Sequence, residues 1–221
     1  MIRYAHQSGI FTSTSTNGQL LNFETAKTLV ESGLDKLIVS IDGTEQKTYQ
    51  KYRKGGRLEL AIKGIEYINF WKRELKSKAP FLEIQMVVFK FNEHQIDAMK
   101  QMAKSLKVDR LVFKSAQLYN FENGNELLTS VDKYARYKLQ PNGKYVLKNK
   151  LHNRCFRLWS GAVVTAKGEV LPCCFDKDAL HSFGSINDPG DVFRNQSAFA
   201  FRKSILIDRK QHEMCRNCTS T

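Results

Sequence analysis

Up to about Ser115 the chain alternates short apolar or β-branched runs with stretches whose apolar positions recur at helical spacing. "GIFTSTST" reads as a strand. "NFETAKTLVESG" follows with Asn22 as N-cap, Glu24 in the first turn, apolar Ala26, Leu29 and Val30, and Gly33 as a stop, which predicts a helix. "DKLIVSID" is apolar enough for a strand buried on both faces. The next helix puts Leu58, Ala61, Ile62, Ile65, Ile68, Trp71 and Leu75 on one side. "FLEIQMVVF" is a third strand, Asn92 with Gln95 spells a capping box for a helix carrying Ile96, Met99, Met102 and Leu106, and "DRLVFKS" is a fourth strand. Such alternation implies right-handed crossovers and a parallel sheet. Four strands do not close a barrel, so residues 1–115 are expected to form an incomplete α/β barrel with "GIFTSTST" as an edge.

The pattern then breaks. Residues 116–153, with "NFENGNE" and "LQPNGKY", read as an irregular connection carrying a hairpin around Gly143. Residues 154–221 form a third, cysteine-rich segment: a hairpin in "AVVTAKGEVLP" turning at Lys167 and Gly168, a short helix at "AFAFRKSIL", then "EMCRNC".

Composition places the chain among globular proteins, with 42% hydrophobic residues, 26% charged residues and 4 prolines. The net charge of +13 permits nucleic acid, an anionic membrane or an acidic substrate as partner and requires none of them. Its cations are scattered through "KYRKGGR", "WKRELKSK", "KYARYK" and "FRKSILIDRK", which read as solvated helix faces, and no RNA- or DNA-binding motif accompanies them. The start lacks the apolar core of a signal peptide and no stretch is long and apolar enough to span a bilayer, so the expectation is a soluble cytoplasmic protein with no membrane partner.

All five cysteines, Cys155, Cys173, Cys174, Cys215 and Cys218, lie in the last third. The hairpin would bring Cys155 and Cys173 toward a common point, and the following helix would return "CRNC" to it. Four converging thiolates suit zinc or an iron-sulfur cluster, since soft sulfur ligands select these over magnesium or calcium. Zinc ribbons usually supply two CxxC knuckles and here there is one, but residue chemistry alone leaves both metals open.

Cys155, Gly168 followed by Cys173, and then Cys215 and Cys218, set among "CFRLW", "GEVLPCC", "FGSIND" and "FRKSI", resemble the C-terminal SPASM or shorter twitch extension of radical SAM enzymes. The resemblance implies one auxiliary [4Fe-4S] cluster ligated by Cys155, Cys173, Cys215 and Cys218, with Cys174 a neighbour or substitute ligand. "TNG" at Thr16, Asn17 and Gly18, and "SIDG" from Ser40 through Asp42 to Gly43, resemble strand ends of the radical SAM barrel. That likeness implies that Ser40 and Asp42 lie near the ribose or amino-acid part of S-adenosylmethionine, that Arg53 meets its carboxylate, and that Gln85 or Asn92 faces the cavity. The family's catalytic CxxxCxxC is absent, because no cysteine precedes Cys155, so the expectation is the C-terminal portion of a longer or split enzyme. Its intact form would cleave S-adenosylmethionine and abstract hydrogen from a peptide, a protein or a small molecule, with an electron donor as partner. No general base is assigned from the sequence, and Asp176 and Asp178, just after "CC", are the positions to mutate. The alternatives are a non-catalytic remnant serving electron transfer or partner binding, and a zinc-stabilised basic nucleic-acid binder.

Overall fold

Leu37 and Val39 alternate with Lys36, Ile38 and Ser40, and Leu82, Ile84 and Met86 alternate with Glu83, Gln85 and Val87, so each strand has an apolar side and a more polar side. In the computed structural model, which describes residues 1–188 and 190–218, those apolar sides are fully buried against helices. The chain divides into two compact units: Met1–Leu118 with Gly124–Ala135, and Tyr119–Asn123 with Arg136–Thr221.

The first unit runs α1 (Ile2–Gln7), β1 (Ser13–Thr16), α2 (Phe23–Glu31), β2 (Lys36–Ser40), α3 (Gln46–Tyr52), α4 (Leu58–Glu74), β3 (Phe81–Val88), α5 (Ile96–Ser105) and β4 (Arg110–Ser115). Its four strands pair in sequence order, all parallel, with Ser15 opposite Ile38, Ile38 opposite Glu83 and Glu83 opposite Arg110. Ala26 and Val30 of α2, Ala61, Ile65 and Ile68 of α4, and Met99 of α5 close the core over one face of the sheet. On the other face Glu83 is buried by its partners, Lys36 at 2.9 Å, Gln85 and Arg110. A sheet covered by helices on one face and lined with polar side chains on the other is one wall of a βα barrel.

Three local readings change. The β-branched first run is a strand only from Ser13, because the register begins at Ser13 opposite Lys36. Two short helices, α1 and α3, were not expected; "QKTYQKY" buries only Thr48 and Tyr49, too little apolar surface to show a period. Asn92 and Gln95 do not form a capping box. The Asn92 side chain accepts from the Phe89 N–H and donates to the Asp42 and Val87 carbonyls, Gln95 accepts from the Thr44 N–H and donates to Thr48, and a 3-10 turn over Glu93–Gln95 precedes α5. Tertiary partners outcompete the local cap for both amides.

The polar stretch after β4 is shared between the units. Residues 124–135 join the first, where Glu93 takes hydrogen bonds from Thr129 and Ser130. Residues 119–123 join the second, where Phe121 stacks on Tyr137 at 4.1 Å. That second unit contains β5 (Tyr137–Leu139) and β6 (Tyr145–Leu147) as a hairpin turning at Gly143, then α6 (Arg157–Ser160), the hairpin β7 (Val163–Val164) and β8 (Val170–Leu171), α7 (Gln196–Asp208) and α8 (Glu213–Arg216). Asn195 caps α7 by accepting from the Ala198 N–H, and a small core of Leu158, Val170, Phe183, Ala198, Phe201 and Ile205 includes Cys155 and Cys215.

Candidate metal centre

Cys155 sits just before α6, Cys173 and Cys174 follow β8, Cys215 lies in α8 and Cys218 just after it. Cys155, Cys173, Cys215 and Cys218 line one cavity; its other walls are Leu158, Phe175, Phe201, Met214, Arg157 and Arg209. Cys174 is exposed and does not line it. Burial, aided by the neighbouring Cys174, pushes the Cys173 thiol up to about 11, and burial also raises Cys215 against the pull of Arg209. Metals bind the thiolate form, so a metal entering this cavity would release protons from such thiols.

The surrounding polar residues hold this arrangement. The Cys215 N–H donates to the His212 carbonyl and the Cys218 N–H to the Cys215 carbonyl, so the CxxC segment is one tight turn. Arg136 and the Tyr137 hydroxyl of β5 both bond Asn217 inside that turn. Asp176 is committed as well, since its carboxylate accepts from the Leu180 and His181 N–H groups at 2.9 Å each and closes the loop after Cys173. Asp178 is exposed. Neither aspartate lines the cysteine cavity.

Four soft cysteine donors on one cavity fit an iron-sulfur cluster, and they also make up a zinc donor set. Zinc bound at about 2.3 Å would crowd its sulfurs to within about 4 Å of one another, whereas a cluster several atoms across spreads them wider.

In the first unit, a second cavity opens beyond the ends of β1 and β2, lined by Asn17, Gln19, Tyr49, Tyr52, Arg53, Lys54, Gly55 and Gly56. Of the strand-end candidates, Asn17 and Arg53 reach it; Thr16, Gly18, Ser40, Asp42 and Gln85 do not. Thr16 accepts from the Gly18 N–H and so shapes the turn, and Gln85 donates to Glu83 at 2.6 Å. Asp42 is wholly buried, accepting from the Val87 N–H and from Arg53 Nε, each at 2.6 Å. Burial pushes its carboxyl up against the pull of the Val87 N–H and the Arg53 guanidinium. Asp42 therefore holds Arg53 on the cavity wall.

Residues 155–219 match the SPASM family, an iron-sulfur cluster-binding domain. The probable GTP 3',8-cyclase of Methanosarcina mazei is 27% identical over 203 residues, covering 81% of this chain and 58% of the cyclase. The PqqA peptide cyclase of Bradyrhizobium diazoefficiens is 25% identical over 247 aligned residues, covering 99% of this chain and 61% of that protein. Residues 155–219 are thus a SPASM domain, and the chain as a whole is similar to radical SAM/SPASM proteins. It also shares a fold with SuiB of Streptococcus suis, at a TM-score of 0.59 and 15% identity over 98% of this chain and 57% of SuiB. SuiB has been solved bound to S-adenosylmethionine and to its precursor peptide SuiA. The chain spans about three fifths of the length of these relatives. Among its described residues no helix is long and apolar enough to cross a membrane.

Reading "FRKSILIDRK" as a solvated helix face missed two residues. Arg202 and Arg209 are both buried, Arg209 to 1% exposure. Arg202 donates to the Leu158 and Phe193 carbonyls and lies over the rings of Trp159, Phe183 and Phe193, tying α7 to α6. The available signal was spacing, because Phe201, Ile205 and Arg209 follow one another four apart on the buried side of α7 and its extension.

Proposed function

We propose that the second unit holds one auxiliary [4Fe-4S] cluster through Cys155, Cys173, Cys215 and Cys218. We propose further that the first unit contributes an S-adenosylmethionine site at its strand ends, for radical chemistry on a peptide. The observation that carries this reading is the gathering of those four cysteines on a single, largely apolar cavity while Cys174 is left outside it. When bound, such a centre supplies a one-electron relay or an iron site that anchors a substrate.

The chain's own residues do the rest. Leu158, Phe175, Phe201 and Met214 exclude water from the thiolates, and Arg136 and Tyr137 fix the turn that carries Cys215 and Cys218. In the first unit Asp42 orients the Arg53 guanidinium, a natural partner for the carboxylate of S-adenosylmethionine, beside Asn17 and Tyr49. A peptide as substrate is supported by the relatives named for peptides, the PqqA peptide cyclase and SuiB with SuiA.

Single Ala substitutions at Cys155, Cys173, Cys215 or Cys218, reconstituted anaerobically, are expected to lose most of the bound iron and sulfide, while Cys174→Ala keeps wild-type content. Iron loss on Cys174→Ala, or none on Cys173→Ala, would exchange the two as ligand. For the strand-end site, Arg53→Gln is expected to weaken S-adenosylmethionine binding by about tenfold, the scale of one charge-assisted contact. Unchanged affinity by equilibrium dialysis would remove Arg53 from that site.

A further inference from the structure

Two arginines line the cysteine cavity, and they differ in kind. Arg157 is exposed, where water and salt screen its charge. Arg209 is 1% exposed, at the start of a 3-10 turn that directly follows α7. Its backbone N–H donates to Asn153 Oδ1, Nη1 donates to the Arg154 carbonyl at 2.9 Å, and the side chain lines the same cavity as Cys215. The side chain is thus tethered to the segment leading into Cys155 and faces the space that all four cysteines share.

Burying a guanidinium costs several kcal/mol unless opposite charge and hydrogen bonds compensate it. A protonated thiol offers little compensation. A four-thiolate iron-sulfur centre is an anion and becomes more negative when reduced, so the same buried cation favours its reduced form in a medium where charges are weakly screened. Arg202, also buried, does not line this cavity; its guanidinium is boxed by three aromatic rings and serves the scaffold.

We propose that Arg209 is a positioning residue for the auxiliary centre: tethered to the segment before Cys155, it places a buried positive charge on the wall of the four-cysteine cavity and sets the reduction potential of the bound cluster upward. This rests on the reading that the four cysteines carry an iron-sulfur cluster. The test uses the full chain and its Arg209→Gln, Arg209→Lys and Arg157→Gln variants, reconstituted anaerobically with iron and sulfide and titrated with dithionite under electron paramagnetic resonance. Iron and sulfide content of the wild-type chain tests the cluster reading by itself; the potentials test Arg209. Arg209→Gln is expected to shift the one-electron equilibrium about tenfold toward the oxidised form, a fall of about 59 mV. Arg209→Lys should stay close to wild type and Arg157→Gln should move far less than Arg209→Gln. A cluster in Arg209→Gln at the wild-type potential, or an equal fall in Arg157→Gln, overturns the proposal. If Arg209→Gln fails to retain iron, Arg209→Lys decides. Retention at the wild-type potential supports a role for the charge, and equal loss of iron shows that shape alone matters and overturns it.

Discussion

At the scale of single residues, the buried carboxylates of the first unit act as clasps. Asp42 joins the end of β2 to β3 and to Arg53, and Glu83 gathers Lys36, Gln85 and Arg110 on the polar face of the sheet. Glu93 fastens residues 129–130 to the turn before α5. Burial pushes the Glu93 carboxyl up, but hydrogen bonds from Ser130, Thr129 and Lys90 outweigh it and hold the pKa down at about 2. A carboxyl depressed in the folded state stabilises fully above its unfolded value, about 4.5, and loses that stabilisation as pH falls toward 2. Glu93→Gln is therefore expected to cost about 2 kcal/mol at pH 7, with the penalty roughly halved at pH 3. Urea unfolding at the two pH values measures this; a penalty that does not change with pH would show that Glu93 acts through packing rather than charge.

Among elements, the turn after β1 is held closely against a helix. Gly18 has φ +75, and a Cβ there would meet the Ala61 backbone of α4 at 2.9 Å; Gly143, in the β5–β6 hairpin, has φ +78 and open space around it. Gly143→Ala should cost only the left-handed penalty of about 1 kcal/mol, whereas Gly18→Ala adds a backbone clash and should cost about 3 kcal/mol. Equal costs in denaturant unfolding would mean that α4 yields easily.

The same contrast explains what could be read from sequence. The four parallel strands and helices α2, α4 and α5 were legible because each has a long apolar face with its own period, and Asn22 is the N-cap it promised. The capping box was not, because Asn92 and Gln95 find partners about fifty positions away, Asp42 and Thr48 among them. Cysteine spacing pointed to a shared centre. Nothing local marked Asp42 as a clasp for Arg53, and Arg209 was hidden in a basic run whose buried side shows only against Phe201 and Ile205.

For the whole molecule, the two units are stabilised differently. The first has an extended apolar core built from strands and four helices, α2 to α5. The second counts two of its cysteines among the few buried residues of its core, and its strands are two or three residues long. So small a core rarely suffices without a staple, and a metal centre that binds only the folded state supplies one. The central claim is thus that four thiolates fold around an iron-sulfur cluster, and the most direct measurement is iron, sulfide and zinc analysis of the anaerobically purified chain. About four iron with matching sulfide per chain is expected from four cysteine ligands; one zinc per chain without sulfide would contradict the account.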